Sequence, residues 1–344
     1  MPVKSTKKKD RALRVGIIGL GGIVQTTHLP ILKGMDDIEV HAVCDSNEQK
    51  ASWVSEKFHV PNVYTDVDRI VMSEEIDAVI ISTPNNLHYP MATRALKTGK
   101  AVFIEKPVAK NLKETIALSK LAKSTGKLVM VGMNQRFRQD VEILKNFVDS
   151  GELGEVFYVK SGWMIHRAIL DRNRWYYRKK VSGGGVLIDL GVQLFDLCLW
   201  IIGNPALKSV SCNMFNKASG LEVEDSAAVQ LVCAGGETIN VEVTWSLMTE
   251  KEVTYTNVFG TDGGALLNPL RIHKELAGNL VNVTPDKPID RKQIRKSYEN
   301  ELQHFADCLL SGIKCRSSID DSIHSMKALD AAYRSASTGK QIRL

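Results

Sequence analysis

Three groups of residues in this 344-residue chain have the types and spacing to do chemistry. Lys106 closes the apolar run "KAVFIEKP", which starts at Lys100. An ammonium group at the end of a buried strand is costly unless something charged faces it, so Lys106 is a candidate acid or base. The segment "GGGVLIDLGVQLFDLCLW", residues 183–200, is apolar except for Asp189, Gln193 and Asp196. At about 100° per residue these three share one helix face, a stripe that is expected to face a polar cavity. Finally, "VGIIGLGGIVQ" sets Gly19 and Gly21 directly after an apolar strand and at the start of a helix. Glycines there allow a tight turn and a close backbone approach to a pyrophosphate, whose charge the helix N-terminus favours.

Gly22 and Ile23 complete that turn, and Val24 stands where the pattern has glycine or alanine, which loosens the helix packing position but not the phosphate position. The second apolar run ends in "AVCDSN", so Asp45 lies at a strand edge where a carboxylate can take both hydroxyls of an adenosine ribose. Ser46 and Asn47 follow it, with no arginine at once. A 2'-phosphate would meet Asp45 as a like charge, so NAD is expected rather than NADP. Two further strand ends point to the same edge: "STPNNLH" with Thr83, Pro84, Asn85 and His88, and "EKP" with Glu105 beside Lys106.

The elements that must position these residues are legible in the hydrophobic pattern. Runs from Leu13, Ile38, Ile76, Lys100 and Lys127 read as strands buried on both faces, with helical spacing between them. Strand and helix in alternation give a parallel, doubly wound sheet of the Rossmann type. After residue 150 the runs lengthen, with hairpin turns at Gly235-Gly236 and Asp262-Gly263, and a mostly antiparallel sheet is expected. Two helical patterns, each stopped by glycine, close the chain. The expected fold is therefore α/β, with a dinucleotide-binding domain over 1–134, of which 1–12 is a basic tail, and a second domain over 135–344.

Composition narrows the class. With 44% hydrophobic and 24% charged residues the chain is globular in type. Most of the net charge of +6 sits in "KSTKKKDR", a solvated tail without aromatic residues, so no attraction to nucleic acid is expected. The six cysteines show no CxxC pair and suggest no metal site, which fits reduced thiols in the cytoplasm. The apolar stretch 186–202 is short for a membrane span and carries Asp189 and Asp196, so it reads as a core helix.

In order and spacing, "GLGGI", "STPNNLH", "EKPVA", "GELGEV" and "SGGGVLIDLGVQLFDL" resemble the glucose-fructose oxidoreductase/inositol dehydrogenase/rhizopine catabolism (Gfo/Idh/MocA) family over nearly the whole chain. The resemblance implies a C-terminal α/β domain with a large open sheet, assembly as a homodimer or homotetramer through it, and hydride transfer between NAD and a secondary hydroxyl of a sugar, sugar derivative or cyclitol. It also implies a catalytic lysine, matched by Lys106, and an aspartate and histidine four residues apart. Asp189 matches the aspartate, but Gln193 stands where the histidine belongs. An amide cannot titrate near neutral pH; it can only orient substrate. Lys106 is then the expected acid/base, its pKa lowered by burial and by the positive nicotinamide, with Asp189 setting its charge state and Gln193 holding a hydroxyl. His166, in a loop before the helix, is a second candidate imidazole, and Trp175, amid Arg172, Arg174, Tyr176 and Tyr177, suits a sugar face. Asn134 and Arg136 resemble positions lining the family's substrate cleft, although a hinge role fits them too. Gln193 keeps two alternatives open: a redox-neutral enzyme of the epimerase or NAD-dependent glycosidase type, and a nucleotide-binding sensor.

Overall fold

The computed structural model describes residues 11–166, 174–217, 220–286 and 292–344. The chain divides into two units, the first made of Met1–Ala109, Lys113–Phe137 and Ile294–Ile319, the second of Lys110–Leu112, Arg138–Gln293 and Asp320–Leu344. The expected second domain over 135–344 is not one continuous stretch. Ile294–Ile319 returns to the first unit because Leu302, Phe305 and Ala306 bury in its core, Phe305 edge-on to Phe103 at 5.6 Å.

The first unit holds six parallel strands, β1 (Leu13–Ile18), β2 (Ile38–Cys44), β3 (Asn62–Tyr64), β4 (Ala78–Ile81), β5 (Ala101–Glu105) and β6 (Val129–Gly132), in the order 3-2-1-4-5-6. Val15, Ile17, Ile80 and Phe103 are fully buried, as strands covered on both faces require. Five of these strands are apparent in the sequence; β3 is not, because three half-exposed edge residues carry no periodicity. Strand order reverses between β1 and β4, and ligands bind outside the carboxyl ends of strands at such a point.

The second unit is built on a nine-stranded sheet of β7 (Val156–His166), β8 (Leu207–Phe215), β9 (Ser226–Cys233), β10 (Thr238–Leu247), β11 (Val253–Gly260), β12 (Gly263–Leu267), β13 (Arg271–Leu276), β14 (Asn279–Asn282) and β15 (Ile342–Arg343). Its pairings are antiparallel except β7 with β10. Alternating burial along β10 marks one face as core. The helical stretch Lys179–Ile201 is long and apolar enough to cross a membrane, yet most of it is buried within the protein.

Candidate functional site

The β1 turn shows why glycine is needed. Gly19 has φ +89°, and a Cβ there would lie 2.5 Å from the Ser82 carbonyl oxygen at the end of β4. At Gly21 and Gly22, both exposed, a side chain would meet nothing within 4 Å, so open space lies above the turn. Asp45 closes β2 and is tied to this turn: Leu20 N–H donates to Oδ2 and Asn47 N–H to Oδ1, both at 2.9 Å. Lys50, one turn into the helix Glu48–Phe58, reaches back to Asp45 Oδ2 at 2.7 Å. Burial alone would raise the Asp45 pKa, but Lys50 and the two N–H donors outweigh it and hold the carboxyl below the usual range. Lys50 escapes the sequence reading because it stands five residues away, although a helix starting at Glu48 brings it back. Ser46 is exposed beside the carboxylate.

At the ends of β4 and β5 a second set converges. His88, buried in the helix Asn85–Lys97, sits 2.8 Å from the Thr83 carbonyl through Nε2 and 2.7 Å from the Pro107 carbonyl through Nδ1. Both ring nitrogens are thus spent on holding two loops together. Burial pulls the His88 pKa down, against two carbonyl contacts that favour its protonated form. Thr83 Oγ1 is buried without a partner among the described residues, Pro84 precedes the helix, and Asn85 is buried in its first turn. Glu105 accepts from His28 Nε2 at 2.7 Å and from the Lys106 N–H at 3.2 Å. Burial would raise Glu105, yet the His28 hydrogen bond and the charges around it hold its carboxyl below the usual range, so it stays ionised. His28 is fully buried in a wide i→i+5 turn, Val24–His28, inside the first helix. Its only sequence signal is a polar residue within a turn that otherwise feeds the core. Lys106, half-buried, follows Glu105 directly.

In the second unit the segment 183–201 is set by a carboxylate from elsewhere in the chain. Glu224 Oε1 accepts from Gly185 N–H at 2.8 Å, Leu187 N–H at 3.2 Å and the Tyr333 hydroxyl at 2.8 Å. It caps a helix that has no side-chain cap of its own. The glycine run makes room: a Cβ on Gly185 would stand 2.0 Å from the Glu224 carbonyl, and one on Gly184 1.8 Å from the Tyr333 hydroxyl. The helix opens with an i→i+5 turn, Leu187–Gly191, that contains Asp189, and continues as Val192–Ile201. Such turns often mark functional positions. Asp189 is half-buried, whereas Gln193 is 6% exposed and Asp196 3%, so only the first reaches solvent. Gln193 Nε2 donates to the Asp189 carbonyl at 3.1 Å, which ties its amide to the same wide turn.

His166 is the last residue of β7 rather than part of a loop, is exposed, and contacts the Thr249 carbonyl through Nδ1. Trp175 packs edge-on to Tyr176, which meets Tyr177, which meets Trp245 on β10, an aromatic chain with ring centroids 5.7, 4.4 and 5.5 Å apart. Burial pushes the Tyr177 phenol up. Arg172 lies outside the described residues, and Arg174 is exposed.

The turn geometry and the comparisons with known proteins agree. Residues 13–133 match the oxidoreductase family with an NAD-binding Rossmann fold, and residues 141–266 match the GFO/IDH/MocA C-terminal domain. The chain belongs to the Gfo/Idh/MocA family of oxidoreductases. It is 28% identical to the D-glucoside 3-dehydrogenase of Escherichia coli, covering 96% of this chain and 97% of that one. Against the scyllo-inositol 2-dehydrogenase (NAD(+)) of Bacillus subtilis it is 26% identical, covering 88% of each. Among solved structures, the aldose-aldose oxidoreductase of Caulobacter crescentus complexed with glycerol superposes with a TM-score of 0.83 at 25% identity, over 97% of this chain and 100% of that one.

Two expectations for this Gfo/Idh/MocA chain gain a structural setting. Asn134, 5% exposed, donates to Ser297 Oγ at 3.0 Å, and Arg136, 1% exposed, donates to the Arg316 carbonyl at 2.6 Å. Both contacts tie the end of β6 to the returning segment 294–319, so neither residue is without a protein partner. Nor are the cysteines without a metal-ligand cluster: His304, Cys308 and Cys315 offer ligand atoms within 4.8 Å of one another. Spacings of four and seven residues, joined by a helix and its return, do not announce themselves as a motif.

Proposed function

We propose that the chain is an NAD-dependent dehydrogenase moving hydride between nicotinamide and a secondary hydroxyl carbon of a sugar, sugar derivative or cyclitol. The observation that carries this reading is the cradle of the first unit. An open glycine turn, a partnered carboxylate at the end of β2, an orphaned Thr83 hydroxyl and the Glu105–Lys106 pair at the end of β5 stand on one sheet. Bound there, NAD supplies the hydride acceptor. Gly19, Gly21, Gly22 and Ile23 would hold its pyrophosphate, Asp45 with Ser46 its adenosine ribose, and Thr83, Pro84 and Asn85 its nicotinamide side. His88 holds the two loops in place. Lys106 takes the hydroxyl proton, with its backbone fixed by Glu105. Asp189 grips a substrate hydroxyl, and Gln193 keeps the Asp189 turn in shape. Trp175 and His166 are the substrate-side candidates in the second unit.

The activities for which the relatives are named, on glucosides and on inositol, support the polyol class. A panel of sugars and cyclitols with NAD, followed by absorbance of the reduced cofactor, tests it. Net reduction supports the dehydrogenase; product without net reduction supports a redox-neutral enzyme, which the untitratable Gln193 favours as the second reading. Lys106→Met should lower turnover by roughly 10²- to 10⁴-fold while NAD affinity is kept. A variant that retains most activity refutes the acid/base role. All six cysteines are free, which suits a reducing cytoplasm. Phe157, 52% exposed, and Phe259, 37% exposed, support self-association through the large sheet, which light scattering would test.

A further inference from the structure

The helix Gln293–Ser311 buries Leu302, Phe305 and Ala306 in the first unit, and carries His304 and Cys308 four residues apart, a spacing that places both on one face. The helix ends at Ser311, Gly312 with φ +68° follows, and the chain returns to bring Cys315 beside them. Cys308 Sγ lies 3.5 Å from His304 Nε2, and all three ligand atoms lie within 4.8 Å of one another. Arg316 N–H donates to His304 Nε2 at 2.9 Å, which fixes Nε2 as the unprotonated nitrogen with its lone pair aimed at the Cys315–Arg316 segment. In a tetrahedral zinc site, metal–sulfur bonds of about 2.3 Å and metal–nitrogen bonds of about 2.0 Å separate sulfur from nitrogen by about 3.5 Å. The Cys308–His304 separation already matches that edge.

We propose that His304, Cys308 and Cys315 form a binding site for a borderline-soft divalent metal ion, with zinc as the ion that this nitrogen and sulfur donor set selects. Both thiols are half-buried, so the fourth position is open to a water ligand. On binding, each thiol gives its proton to solvent as a metal–sulfur bond forms, and the metal replaces the Arg316 N–H at Nε2. No change of oxidation state is involved. The bound ion would join the last turn of the helix to the segment whose Arg316 carbonyl receives Arg136 and whose guanidinium lies over the Phe137 ring at 5.0 Å. Its role is to fix the returning segment 294–319 within the first unit.

The test uses the full chain, reduced and treated with a chelator, and titrated first with Co²⁺ and then with Zn²⁺. A single equivalent of Co²⁺ should produce thiolate-to-cobalt charge-transfer absorption and the intense d–d bands of a tetrahedral site, and a single equivalent of Zn²⁺ should abolish both. Cys308→Ser and Cys315→Ser should each weaken Co²⁺ binding by on the order of a hundredfold or more, since each removes a direct ligand and even indirect partners of a site are worth 10- to 100-fold. Should a variant fold poorly, the native protein gives the answer independently: Zn²⁺ should slow alkylation of Cys308 and Cys315, mapped by mass spectrometry. The proposal is overturned by an absent thiolate band, by serine variants that bind as the native chain does, which would mean an adventitious ion only, or by zinc that leaves alkylation of both thiols unchanged.

Discussion

Glu224 lets one side chain test how the Asp189 helix is held. Three donors converge on a single oxygen, Oε1: Gly185 N–H at 2.8 Å, Leu187 N–H at 3.2 Å and the Tyr333 hydroxyl at 2.8 Å. Glu224→Ala leaves all three without that acceptor. A lost helix cap costs about 1 to 2 kcal/mol and a stranded buried hydroxyl about 1 to 3 kcal/mol, so the variant should lose about 3 kcal/mol. For a unit of this size that is a fall of about 6 to 12 °C in its unfolding midpoint. Glu224→Gln behaves differently because its amide oxygen can stand where Oε1 stands and keep every donor. What it loses is the charge against the helix N-terminus, about 1 kcal/mol at most, or about 2 to 4 °C. Calorimetry of the two variants reads this ordering, and hydrogen exchange over residues 183–195 locates it. Asp189 lies two residues beyond Leu187, so Glu224→Ala should also lower kcat while the KM for NAD stays close to native. Equal losses for the alanine and glutamine variants, or an alanine variant within 1 kcal/mol of native, would refute the cap.

Other expectations follow from the cradle. Asp45→Ser removes the carboxylate and frees the Lys50 ammonium now 2.7 Å from it, so the KM for NAD should rise by on the order of 10- to 100-fold and the preference should move toward NADP, read from steady-state kinetics with both cofactors. Glu105 is held below its ordinary 4.5 in the folded chain, so its ionised form stabilises the fold fully above that pH and ceases to do so as pH falls through the folded value. The stability advantage of the native chain over Glu105→Gln should therefore be constant above pH 4.5 and shrink below it, as urea midpoints across the acid range would show. His28→Phe removes the 2.7 Å partner of Glu105 but keeps an aromatic ring, and should move the acid limb of that curve to higher pH.

Sequence alone located the elements whose signals are local. Strands buried on both faces read as apolar runs, the glycine turn and Asp45 follow each other at fixed distances, and the "EKP" and "GGG" segments stand in family order. Residues that act through tertiary contact stayed hidden. Glu224 lies in a loop 39 residues from Gly185, His28 is 77 residues from Glu105, and Ser297 is 163 from Asn134. Nothing in a linear pattern marks them, because each is selected by a partner that only folding brings near. Asn134 and Arg136 show the same limit from the other side: as residue types they suit a sugar, and only the folded chain shows that each is buried and donates to a partner within the first unit.

The wide turn at Leu187–Gly191 interrupts the regular period of the Asp189 helix. A phase of about 100° per residue puts Asp189, Gln193 and Asp196 on one stripe and lets all three share one cavity. An i→i+5 turn adds a residue to the local repeat, so the phase carried from Asp189 into the regular helix beyond Val192 is broken where the chemistry begins. Asp189 then leaves the buried surface while Gln193 and Asp196, at 6% and 3% exposure, remain inside it. Gln193 turns its amide back to the Asp189 carbonyl, one of the acceptors that a widened turn leaves loosely held. On this geometry the glutamine's Nε2 supports the aspartate's backbone. Replacing it with leucine, which keeps the bulk and drops the donor, should lower kcat through Asp189 without creating or removing a titrating group. The pH profile of kcat/KM should then keep its native shape at reduced height, and a displaced limb in that profile would show that Gln193 acts on the proton transfer itself.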